Sequence, residues 1–92
     1  MSDVYQELME YNPEAMIIDD FEEAYLGYSI EGRAIYDYYT LVDIVTDGIL
    51  EDSDMTEEEA VTEAINHVDF NIVNAYVGPF TPIVMYKEIY DQ

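Results

Sequence analysis

Six carboxylates fall within LEDSDMTEEEA, residues 50–60, with no base among them. The wider run holds Asp43, Asp47, Glu51, Asp52, Asp54, Glu57, Glu58, Glu59 and Glu63, while the whole chain has only Arg33 and Lys87 as fixed cations against 22 Asp and Glu, a formal charge of -20. Such residues can do acid–base chemistry, bind cations, or meet a basic surface. Acid–base work needs a defined pair, and 22 acids offer dozens of accidental pairs with none singled out by spacing. His67 is the one histidine and there is no Cys, so the usual nucleophile–base pairs are unavailable. Placed at the end of a predicted helix, His67 reads as a C-terminal cap or a solvated side chain. No phosphate-binding Gly loop is present, so neither an enzyme nor a cofactor is expected. The oxygen-rich run 43–59 fails the order of an EF-hand loop, which leaves a calcium-responsive module a weak rival and no metal ligand assigned.

Electrostatic recognition remains, and it needs a folded scaffold. Half of the residues are hydrophobic and ten are Tyr, unlike acidic tails too poor in such residues to bury surface. Ninety-two residues make one domain, 1–92, with a small core, so that stability is expected to be modest or shared with a partner subunit, a homodimer being the commonest arrangement. The absence of Cys fits a reducing cytosol. No apolar run approaches the roughly 20 residues that cross a bilayer, the N-terminus lacks a signal peptide's basic start, and an anionic membrane surface would repel the chain.

The elements follow from pattern. Ser2-Asp3 can cap a short helix with Val4, Leu8 and Tyr11 on one face, ended by Asn12-Pro13. Residues 24–29 and 33–38 read as a β-hairpin around Ile30-Glu31-Gly32. From residue 40 to 51 the period is helical, with Leu41, Ile44, Val45 and Gly48 on one face and Asp43, Asp47 and Glu51 opposite at i, i+4 spacing. Gly48 weakens this helix or marks close packing. Thr56 and Glu59 spell a capping box for a helix whose core face is Ala60, Val61, Ala64, Ile65 and Val68. TPIVMYKEIY, residues 81–90, reads as a third strand. The order α-β-β-α-α-β predicts an α+β fold, a small antiparallel sheet with helices on one face.

Structure alone does not account for so many acids. Glu57, Glu58 and Glu59 sit in a first helical turn, where each negative charge gains about 0.3–1 kcal/mol. Asp43, Asp47 and Glu51, or Glu59 and Glu63, are instead like-charge i, i+4 neighbours that cost a few tenths of a kcal/mol per pair. Solubility needs a net charge of only about 2–8; adaptation to high salt is a further alternative. Nucleic-acid mimicry fits the magnitude: a chain of this length has a diameter near ~30 Å, and that length of duplex carries roughly 18 charges against 20 here.

MTEEEAVTEAINHVDFNIVNAYVGPFTPIVM adds a resemblance. Met55 to Ala60, Phe70-Asn71, Ala75 to Gly78 and Thr81 to Ile83, with EEAYLGYS and IYDYYTLVDI upstream, resemble a pattern in small acidic proteins of tailed phages, over roughly residues 21–85. Pro79 departs from it, standing where the pattern has an acid. Within that pattern Phe70, Tyr76, Val77 and Ile83 are expected in the core and Gly78-Pro79 in a turn. The motif implies phage origin and fold more than activity. In size, charge and lack of cysteine the chain is also similar to dimeric anti-restriction DNA mimics of T-even phages, and that likeness implies a protein that acts in the bacterial cytoplasm on the DNA-binding surface of a host enzyme, a restriction endonuclease such as McrBC, without binding nucleic acid itself. The nine acids from Asp43 to Glu63 are then the partner-binding candidates. The alternative is an acidic adaptor for a host polymerase, nucleoid protein or chaperone that acts without mimicry.

Overall fold

The computed structural model describes residues 3–87. In chain order it has a 3-10 turn, Asp3–Tyr5, running into α1, Gln6–Tyr11; a second 3-10 turn, Glu22–Ala24; β1, Tyr25–Tyr28; β2, Ala34–Asp37; α2, Tyr38–Asp52; α3, Glu57–Val68, prolonged by a π-helical turn, Asp69–Val73; and β3, Ile83–Met85. The fold is α+β in the expected order. Ser2 of the expected first cap and residues 88–90 of the expected last strand lie outside the described residues.

The hairpin forms where Gly32 lets the chain reverse. Gly32 has φ +83°, its N–H donates to the Ser29 carbonyl at 2.9 Å, and the Ser29 N–H donates to the Arg33 carbonyl at 2.9 Å. A side chain at Gly32 would also strike Asn12, 2.7 Å from the position of a Cβ, so both torsion and space require glycine. Asn12 in turn donates through Nδ2 to the Gly32 carbonyl at 3.0 Å, which ties the end of α1 to the turn.

The sheet has β2 at its centre, in the order β1-β2-β3. β1 and β2 are antiparallel with an irregularity between Tyr25 and Gly27, but β2 and β3 are parallel. The sheet is therefore mixed, not antiparallel throughout. Both α2 and α3 lie between β2 and β3 in the chain, and a helical crossover of that length brings the next strand back in the same direction.

One core joins α1, the sheet and both long helices: Tyr5, Leu8, Ala24, Ala34, Tyr36, Leu41, Val42, Ala64 and Val68. Tyrosines build much of it. The Tyr5 and Tyr36 hydroxyls share a hydrogen bond of 2.8 Å, and Tyr36 also accepts from the Ile18 N–H at 2.9 Å. Burial raises the pKa of the core tyrosines Tyr5 and Tyr36, and of half-buried Tyr25 packed against them, above the ordinary phenol value. On α1 it is Tyr5 and Leu8 that are buried, while Val4 and Tyr11 are exposed; the 3-10 start turns the expected stripe by one position.

Asp37 starts α2. The Thr40 N–H and hydroxyl donate to its Oδ2 at 3.0 and 2.6 Å, and the Lys87 N–H donates to Oδ1 at 3.0 Å. Burial pushes the Asp37 carboxyl up, yet these hydrogen bonds outweigh it and leave its pKa below the usual value. On α3 the expected capping box is present: Thr56 Oγ1 accepts from the Glu59 N–H at 3.2 Å and Glu59 Oε1 from the Thr56 N–H at 3.1 Å. Ala60, Ala64 and Val68 are buried, Val61 is half-buried, and Ile65 is exposed.

A candidate interaction surface on the two long helices

α2 and α3 place the nine predicted acids as follows: Asp43, Asp47, Glu51 and Asp52 on α2, Asp54 in the link, and Glu57, Glu58, Glu59 and Glu63 on α3. All nine are exposed. Asp43, Asp47 and Glu51 are one helical repeat apart, advancing about 6 Å per step. Glu59 spends one carboxylate oxygen on the capping box. Among the described residues the other eight carboxylates accept no hydrogen bond and form no ion pair.

The chain's two bases are elsewhere. Arg33 donates through Nε to the Thr81 carbonyl at 2.7 Å and pairs with Glu31 at 3.4 Å, bracing the hairpin against the segment that leads to β3. Lys87 lies just past β3, beside Asp37. The helical face is thus uniformly negative. No group of three or more His, Asp or Glu among the described residues is arranged to hold a metal ion.

His67 is exposed, and its Nδ1 lies 3.3 Å from Asn71 Nδ2. It lines an open groove of about 510 Å³ between α2 and α3, together with Val45, Gly48, Ile49, Met55 and Glu63. Gly48 therefore does not mark close packing: it is exposed, and a Cβ there would meet nothing within 4 Å.

A second surface has opposite character. None of the 22 acids falls between Phe70 and Lys87. There Phe70 is 75% exposed, Tyr76 78%, Val77 54% and Tyr86 60%. Phe70, Tyr76 and Val77 are thus not core residues, and Ile83 is only half-buried. The π-helical turn carries Phe70 outward, and the chain that follows is fixed mainly through Thr81, whose hydroxyl accepts from the Val77 N–H at 2.9 Å and donates to the Gly78 carbonyl at 2.7 Å. The expected turn at Gly78-Pro79 is present, closed by the Thr81 N–H to the Gly78 carbonyl at 3.2 Å.

Tyr86 packs against Tyr38 and Tyr39, with ring centroids 5.1 and 5.3 Å away. Tyr38 donates to Asp69 Oδ1 at 2.9 Å; burial, then that carboxylate, pushes the Tyr38 pKa up to about 12. Neither this surface nor the groove is legible in the sequence: an acid-free aromatic stretch reads as core, and the groove joins residues of two helices.

The molecule measures 42 × 36 × 26 Å, longer than the ~30 Å sphere assumed for a chain of this size. Duplex of its longest dimension carries about 25 charges, so the match in overall density is looser than a sphere implies. Among the described residues no helix is long and apolar enough to cross a membrane. Comparison with protein-family models, curated proteins and solved structures gives no match.

Proposed function

We propose that this chain is a DNA-mimic inhibitor: it occupies the DNA-binding surface of a host DNA-binding enzyme, a restriction endonuclease such as McrBC being favoured, in the cytoplasm of a phage-infected bacterium. The observation that carries the reading is the exposed, unpaired row of carboxylates on α2, its link and α3, without a base on that face. A surface stabilised for its own sake would intersperse cations, whereas one that meets Lys and Arg of a DNA groove gains by omitting them. The resemblance to Arn, the T-even phage anti-restriction protein, points the same way. The inhibitor acts by stoichiometric occupancy and catalyses nothing. Two copies associate through the exposed aromatic residues of the segment 70–87, which itself contributes no acid, so chains of charge -20 can approach there with less repulsion than at the helices.

The second reading, an acidic adaptor for a host polymerase, nucleoid protein or chaperone, draws on that same apolar face, which could hold a partner while the acids stay free. Competition separates the two. With labelled duplex on purified McrBC at moderate salt, the mimic displaces DNA at one copy per binding site and does not itself bind DNA. A ternary complex of protein, nuclease and duplex would favour the adaptor.

A further inference from the structure

The groove between α2 and α3 is lined by both apolar and acidic side chains. Half-buried Val45 and Ile49 and exposed Met55 are the apolar ones, exposed Asp52 and Glu63 the acidic ones, with His67 beside them, and the volume is about 510 Å³. Gly48 stands on its wall in mid-helix, where glycine weakens the helix relative to alanine. Nothing steric or torsional asks for glycine there: a Cβ would have open space, and the backbone is helical. Glycine leaves that part of the groove wall without a side chain.

We propose that this groove receives one long basic side chain, arginine or lysine, from the basic surface of the partner. The inference rests on the reading of a basic partner and names where one of its side chains is held. Lysine and arginine lay their methylene stems on apolar surface while the charged head stays at a polar edge, and this groove offers both kinds of surface. The stem covers Val45, Ile49 and Met55; the head lies between Asp52 and Glu63, whose carboxylates have no partner among the described residues. An apolar occupant would strip water from those two carboxylates without replacing it, and an anion would be repelled. A second copy of this chain is a poor occupant as well: of its two bases, Arg33 is engaged with Thr81 and Glu31, and Lys87 lies beside Asp37.

The test uses isotope-labelled full-length protein titrated with a tetra-arginine peptide at about physiological salt, where exposed charges far apart are screened. Saturating NMR shifts are expected at Val45, Gly48, Ile49, Glu63 and His67. Gly48→Leu, which fills the groove without changing charge, should weaken binding at least fivefold with no loss of thermal stability, and Gly48→Ala should weaken it less. Asp52→Asn with Glu63→Gln should also cost at least fivefold, against twofold or less for Glu10→Gln with Glu14→Gln, the same charge change on and just after α1. Equal affinity of Gly48→Leu and the parent, equal losses for the two acid pairs, or shifts spread evenly over all the acids would overturn the proposal. Groove docking that survives while duplex displacement from the nuclease fails would overturn the mimic reading alone. Displacement that persists undiminished in Gly48→Leu would overturn the groove alone.

Discussion

The two long helices and the segment from Phe70 to Lys87 divide the surface between opposite physical tasks. The first carries nine exposed acids from Asp43 to Glu63; the second has no acid, and Phe70, Tyr76 and Tyr86 stand more than half exposed. A charged face is content in water and needs no cover, while a solvent-facing aromatic patch forgoes burial free energy. Phe and Tyr each bury about 150–250 Å² in a packed setting, so these three rings alone leave on the order of 400 Å² to gain, about half of one partner's share of a standard interface. Under the proposed function the helices meet a basic partner, and the segment is suited to an uncharged one.

The largest effect is expected where charge is put onto the apolar face. Tyr86→Asp should convert a dimer to monomer, raising its dissociation constant a hundredfold or more, because two like charges would be buried together. Its fold should persist, since Tyr86 is 60% exposed. Sedimentation that finds the parent monomeric at working concentration would break the comparison, leaving the apolar face for another partner.

Asp37 serves both regions, capping α2 with one oxygen and holding the Lys87 N–H with the other. Asp37→Ala should therefore cost about 2 kcal/mol, a lost cap plus an unpaired N–H, measured by urea unfolding. Since the folded pKa of Asp37 is lowered, its contribution is complete above the unfolded value of about 3.9 and is lost as pH falls through the lower folded one. The stability gap between parent and Asp37→Ala should accordingly begin to narrow as pH falls below about 3.9 and go on narrowing through the lower folded pKa. A constant gap down to the most acid pH would show that the carboxylate's charge is not what the cap uses.

Asp43→Asn, Asp47→Asn and Glu51→Gln together should weaken inhibition about tenfold, near ~0.5 kcal/mol for each lost charge pair. Folding stability should rise by a few tenths of a kcal/mol per relieved i, i+4 pair. Glu10→Gln, Glu14→Gln and Glu23→Gln, also exposed, remove the same charge and should weaken inhibition twofold or less. Equal losses would mean that net charge alone drives binding. The smallest effect is a salt response of opposite sign in the two properties: added NaCl should weaken inhibition while modestly stabilising the free protein, whose charges repel one another. Parallel responses would remove electrostatics as the link between surface and function.

Local rules carried much of the architecture. The Thr56–Glu59 box, the Gly32 turn and the helical period after Thr40 each depend on residues within four positions of one another, and all three stand where the sequence placed them. The acids on α2 and α3 are exposed because an unpaired carboxylate cannot be buried cheaply, which composition alone dictates. The direction of β3, the outward placement of Phe70 and Tyr76, and the open groove beside Gly48 were decided by tertiary packing. Each depends on how far a crossover reaches, which way a π-helical turn points, or how two helices lie together. Those quantities couple residues such as Asp37 and Lys87, 50 positions apart, and no local pattern encodes them.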